Sequence, residues 1–127
     1  MKLNLYLKSE KEITIKQDLI LRAKNTNIIN CYFYDEDDAL INITDSEIYF
    51  MVKTTPSIED ASAILNKKIT TFTDPTNGNT EIELTSLETE DLIGNYIYQL
   101  KIKYINKFYT IAEGNICFKQ SIIAREI

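Results

Sequence analysis

Three observations predict an all-β fold, an antiparallel sandwich of about seven strands. Ile, Thr, Tyr and Phe, which favour pleated surfaces, gather in short runs along the sequence. Clusters of Asn, Asp, Gly and Pro separate these runs at short intervals, as chain reversals require. No long stretch of helical period lies between them to build a parallel α/β unit. The 127 residues suit one domain with a real core, and 44% hydrophobic with 26% charged residues sets the chain apart from disordered sequences.

Taken in order, residues 1–24 are expected to form an N-terminal strand or arm packed on the sandwich, which itself occupies 25–127. Leucines at 3, 5 and 7 alternate with other residues, a charged Ser-Glu-Lys-Glu segment follows, and apolar residues return at 13–21. Asn25 to Asn27 reads as a turn. Residues 28–34 form a β-rich run that ends in the tight acidic turn Asp35-Glu36-Asp37-Asp38. After an extended link at 39–44, residues 47–53 are apolar almost throughout and too short for a helix, so a strand covered on both faces is expected. Pro56 sits in a polar loop, residues 62–65 are expected to add a helical turn, and 67–72 resume as strand.

Residues 74–79, Asp-Pro-Thr-Asn-Gly-Asn, concentrate turn formers and must reverse the chain. In the next strand Ile82 and Leu84 share one face, with Glu81 and Glu83 on the other. Residues 86–93 then read as a single helical turn closed by Gly94 in the left-handed conformation. The clearest strand follows: Tyr96, Tyr98, Leu100, Ile102 and Tyr104 face one way, while Gln99, Lys101 and Lys103 face the other. Residues 105–107 turn the chain into a strand from Phe108 to Ala112, and Gly114 is expected to mark a bulge before Ile116.

The order of these features resembles the N-terminal immunoglobulin-like domain of the phage baseplate upper protein family and related tailed-phage virion modules. The stretch Asn-Ile-Ile-Asn-Cys-Tyr-Phe-Tyr from Asn27, its acidic turn, and the apolar strand ending at Lys53 carry the first half of the likeness. Ile82-Glu83-Leu84-Thr85, the short helical turn, Gly94 with Tyr96 and Tyr98, and the strand glycine Gly114 carry the second. The acidic turn lacks the glycine and proline of the family pattern. The resemblance implies an immunoglobulin-like sandwich and a non-enzymatic place in a bacteriophage virion, in the baseplate, tail or head accessory parts.

The residues themselves narrow the chemistry. There is no histidine, which removes the commonest general base and metal ligand together with Ser-His and Cys-His arrangements. Adjacent turn carboxylates are usually solvated and lack the cleft that raises one pKa, so no catalysis is expected at Asp35 to Asp38. Asp35, Asp37 and Asp38 are the calcium candidates, against the plainer expectation of a structural turn, because the glycine of an EF-hand loop is missing. No other cofactor is expected.

The net charge of −5 and scattered Lys and Arg leave no basic stripe for nucleic acid. No apolar run reaches the length of a membrane span. Cys31 and Cys117 lack metal or redox spacing and are expected to be free buried thiols, with a disulfide as the alternative if their strands are neighbours.

Partner contacts are expected at Tyr49 and Met51, on the face of their strand opposite Ile48, Phe50 and Val52. Coverage of those two by the Pro56 loop or by the N-terminal segment is the plain alternative. Leu3, Leu5 and Leu7 are candidates too, through pairing of the arm with a neighbour's strand edge. The expected function is structural: a virion protein, made in the host cytoplasm, that binds other virion proteins in a symmetric multi-copy assembly. The alternative is a sandwich module that binds a host-surface glycan or calcium.

Overall fold

The computed structural model describes residues 2–8, 11–12, 14–55 and 63–120. They form β1 (Lys2–Lys8), β2 (Lys11–Glu12), β3 (Ile15–Lys16), β4 (Leu19–Arg22), β5 (Asn27–Tyr34), β6 (Glu47–Lys53) and β7 (Leu65–Ile69). After a 3-10 turn at Pro75–Asn77 come β8 (Asn79–Leu84), α1 (Ser86–Thr89), β9 (Gly94–Tyr104) and β10 (Lys107–Lys119). One sheet runs β2-β1-β5-β8 and the other β3-β10-β9-β6-β7, with β4 also paired to β10. The all-β sandwich expected from the sequence is what these residues build.

The sheets are mixed, not purely antiparallel. β1 lies parallel to β5, with Leu3 opposite Cys31 and Leu5 opposite Phe33. β3 and β4 lie parallel to β10. The reason is connectivity: between β1 and β5 the chain crosses to the other sheet and back, and such a crossover permits a parallel pair where a tight hairpin cannot. Residues 2–22 thus add strands to both sheets, which raises the strand number above the expected seven.

Alternation places the core between the sheets. Leu3, Leu5, Ile29, Cys31, Phe33, Ile82 and Leu84 from one side meet Ile48, Phe50, Val52, Tyr98, Leu100, Ile102 and Phe118 from the other, all fully buried. Phe50 and Tyr98 stack with ring centroids 5.9 Å apart. Each such side chain contributes roughly 1.5–3 kcal/mol of hydrophobic stabilisation.

The Tyr98 hydroxyl, brought inside by this packing, donates to the Gln17 carbonyl at 2.5 Å. Gln17 lies in the link between β3 and β4, directly over Gly114. A Cβ at Gly114 would stand 2.5 Å from the Gln17 carbonyl oxygen. Asp18 completes the crossing by accepting from the Asn115 N–H at 3.1 Å. Gly114 therefore serves a close approach and not the bulge expected of it. The ladder shifts register between Thr110 and Ala112 instead, and there Ile111 and Ala112 turn inward in succession.

Other local expectations shift in the same way. α1 begins with a capping box: the Thr85 side chain accepts from the Glu88 N–H, and the Glu88 carboxylate accepts from the Thr85 N–H. It ends at Thr89 with Glu90 still right-handed, so Gly94 does not close it. Gly94, at φ +130°, opens β9. Of the helical turn expected at 62–65, Ser62 lies outside the described residues and Leu65 begins β7.

Cys31 and Cys117 are free thiols on different sheets, Cys31 buried in β5 and Cys117 half-buried in β10. The disulfide alternative falls with that separation.

The outer edge of β8 is guarded by neighbours. Lys67 Nζ donates to the Glu83 carbonyl and, at 2.9 Å, to Glu88 Oε1. The Glu81 N–H donates to Thr73 Oγ1 at 3.2 Å. Groups that would otherwise invite another strand are thereby occupied.

Two substitutions test this framework in opposite directions. Gly114→Ala should destabilise by about 1–3 kcal/mol, since the Gln17 backbone has to move. Ile105, a β-branched residue, sits at φ +49° beside Asn106 at φ +61° in the β9–β10 hairpin. Ile105→Asn should stabilise by about 1 kcal/mol by relieving that conformation. Denaturant melts of both variants read the two signs.

Candidate interaction surface

β6 and β9 project Tyr49, Met51, Lys101 and Lys103 away from the core because their neighbours Phe50, Val52, Leu100 and Ile102 fill it. Ladder register sets Tyr49 opposite Lys101, and Phe108 of β10 opposite Lys103. On the other side β7 places Lys68 opposite Tyr49 and Asn66 opposite Met51. The result is a shallow groove of about 430 Å³ lined by Tyr49, Met51, Asn66, Lys101 and Phe108.

Its chemistry is apolar and aromatic, with a cationic rim. The Tyr49 and Phe108 rings tilt against each other at 6.1 Å. Lys68 Nζ lies 5.8 Å from the Tyr49 ring centre and Lys103 Nζ 5.7 Å from that of Phe108. The Tyr49 hydroxyl donates to Glu47 Oε1. That hydrogen bond, with the Lys68 and Lys103 charges, lowers the Glu47 pKa below its ordinary value. The same bond raises the Tyr49 pKa, because the phenol proton is held between the two oxygens. Tyr49 thus stays a neutral donor over a wide pH range.

Beside this groove the β9–β10 hairpin stands out from the sandwich end. Ile105 is 76% exposed and Phe108 61%. Thr44, Asp45, Ser46, Glu47, Lys103 and the hairpin itself enclose a second hollow of about 460 Å³. Asp38, Asp45, Ile105 and Asn106 all take positive φ in the turns around Tyr34, Ser46 and Tyr104. Asp and Asn tolerate this conformation, so of the four the β-branched Ile105 is the strained one.

The sequence candidates fall on two sides of this picture. Tyr49 and Met51 do line the groove, Tyr49 half-buried and Met51 buried at its floor. Of the two candidate covers for that face, the Pro56 loop lies outside the described residues from Pro56 on, and the N-terminal strands β1, β3 and β4 pair with β5 and β10.

Leu3, Leu5 and Leu7 do not offer themselves to a partner. They are 0%, 0% and 9% exposed, because β1 is a full member of its sheet and turns its leucines into the chain's own core. Phe108 and Ile105 were missed by sequence reasoning. The signal was the hairpin length, since a two-residue turn at 105–106 sets Phe108 opposite Lys103 on the outer face.

Asp35, Asp37 and Asp38 form a turn organised by its own backbone. Asp35 Oδ1 accepts from the Asp37 and Ala39 N–H groups at 2.8 and 3.0 Å, and the Asp35 N–H donates to the Ala39 carbonyl. Among the described residues no group of three or more His, Cys, Asp or Glu converges as a metal site. No helix of the described residues is long and apolar enough to cross a membrane.

No protein-family model matches the sequence, and no curated protein does either. Among solved structures, the fold is similar to the N-terminal domain of phage TP901-1 ORF48, with a TM-score of 0.52 at 9% identity. That likeness covers 93% of this chain and 98% of the other. Auracyanin A, a blue copper protein of the green thermophilic photosynthetic bacterium Chloroflexus aurantiacus, aligns with a TM-score of 0.47 at 14% identity. Coverage is 94% of this chain and 100% of auracyanin. At 9% identity the first likeness is one of fold alone, a β-sandwich.

Cys31 supplies a check on core rigidity. Burial pushes its thiol pKa up to about 12, which leaves almost no thiolate near neutrality. In the folded protein a thiol reagent at pH 8 should leave Cys31 unmodified until global unfolding. Peptide mapping after timed labelling reads this directly, and early modification would mean that β5 opens locally.

Proposed function

We propose that this chain is a non-enzymatic structural domain of a bacteriophage virion, in the baseplate, tail or a head accessory position, and that it works through contacts with other virion proteins. The observation that carries the reading is the fold likeness to the phage TP901-1 ORF48 domain, which runs over nearly the whole of both chains. The groove at Tyr49, Met51 and Phe108 supports it, since aromatic and methionine side chains with a charged rim are the composition of protein contact surfaces. Fold alone does not assign function, so the surface matters to the argument as much as the likeness does.

In this reading the sandwich is a rigid spacer with an adhesive outer face and does no chemistry. Repetition in a symmetric particle supplies avidity, so each contact need only be weak. Mass spectrometry of purified particles from the phage that encodes the chain tests it, with copy number measured against the major capsid protein. A fixed stoichiometric copy number is expected. Absence from washed particles, with the chain present in the lysate, would sink the reading.

A further inference from the structure

The groove and the acidic turn are complementary surfaces carried by the same chain. Lys68, Lys101 and Lys103 surround the apolar floor at Tyr49, Met51 and Phe108, with Glu47 as the near acid, on a chain whose net charge is −5. The turn at 35–38 presents Glu36, Asp37 and Asp38 in exposed positions, and Leu40 just beyond them is 46% exposed. A plug with carboxylates and a leucine thus stands opposite in character to a socket with lysines and aromatic rings.

The plug is also preorganised. The Asp35 hydrogen bonds to the N–H groups of Asp37 and Ala39 fix its backbone, and Leu40 is bridged to Tyr34. Within one molecule the two parts stay apart. Asp35, Glu36 and Asp37 line a separate hollow with Leu7, Ile41 and Tyr104, and none of the turn lines the groove.

We propose that the groove receives the 35–40 turn of a second copy of this chain, in a head-to-tail contact. Two-fold packing of groove on groove would oppose like charges, whereas plug in socket pairs opposite ones. In a head-to-tail contact without reciprocal exchange, the pair keeps one plug and one socket unfilled, so the contact propagates into a ring or a filament. The proposal rests on the assembly reading above only in supposing that the outer face binds protein.

Sedimentation velocity of the full chain, from roughly 1 µM to 1 mM at low salt, tests it. Concentration-dependent species larger than a dimer are expected, with association at least about tenfold weaker in roughly 0.5 M salt. The double variant Lys101→Glu with Lys103→Glu should be monomeric, and so should Glu36→Lys with Asp37→Lys. An equimolar mixture of the two should assemble again, because each variant's altered surface now complements the other's. Circular dichroism melts confirm that both variants fold, as is expected of exchanges on outward-facing side chains.

A wild-type chain that stays monomeric throughout, variants that assemble unchanged, or folded monomeric variants that do not rescue each other would each overturn the proposal. A monomeric chain found in stoichiometric amount in particles would overturn it while leaving the virion assignment intact.

Discussion

The structure depends on the passage of residues 14–22 along the edge of β10, where their link at Gln17 crosses Gly114. Leu3 and Leu5 of β1 belong to one sheet and Leu19 and Leu21 of β4 to the other, so the first two dozen residues fasten the two layers together. The fastening point is a buried phenol, Tyr98, that reaches the Gln17 carbonyl, over a glycine that leaves room for the chain to pass. A buried hydroxyl without a partner would cost on the order of 1–3 kcal/mol, so the crossing and the central strand β9 require each other. Burial and the Asp18 charge hold the Tyr98 phenol protonated, which keeps it a donor.

That fixed centre gives the outer face its rigidity. β9 is held on its inner side by Tyr98, Leu100 and Ile102 and flanked by β6 and β10, so Lys101 and Lys103 project from a strand that cannot slip register. A one-residue slip would send Leu100 outward and Lys101 into the core. Burying the lysine charge without a partner would cost far more than any surface contact could return. The groove is therefore as well placed as the core beneath it, although its own side chains contribute little to folding.

How much of this the sequence disclosed depended on whether the determining forces were local. Ile82 and Leu84 against Glu81 and Glu83, and the long alternation of β9, declared both strand and facing, because period-two burial leaves a direct mark. Strand direction leaves none: alternation reads the same for parallel and antiparallel partners, so β1 beside β5 was not legible. Leu3, Leu5 and Leu7 failed as interface candidates for a related reason, since a leucine row looks alike whether it faces its own core or a neighbour's edge. Gly114 was visible as a special position, but its cause is the Gln17 backbone, far away in sequence. The place of Tyr49 and Met51 in the outer groove was legible because their strand is apolar on both faces. That of Phe108 was not, because its outward facing follows from a two-residue turn at 105–106 where a turn over 105–107 was expected.

The distribution of charge carries the last step. An exposed ion pair contributes about 0–1 kcal/mol, and the pair of Lys68 with Glu47, 53% and 28% exposed in their side chains, belongs to that class. Charges of this sort add little to the fold, so their placement is free to serve something else. Here lysines collect around exposed aromatic rings while carboxylates collect on the turn after β5, in a chain with an acidic excess. The hairpin that displays Phe108 keeps Ile105 at a backbone angle that a β-branched side chain disfavours, although asparagine at that position would suit the turn. Local stability is thus conceded where an apolar, solvent-facing side chain is retained. On the proposed reading such a surface would bind through its apolar area and orient through its segregated charge, with the sandwich core holding both in place.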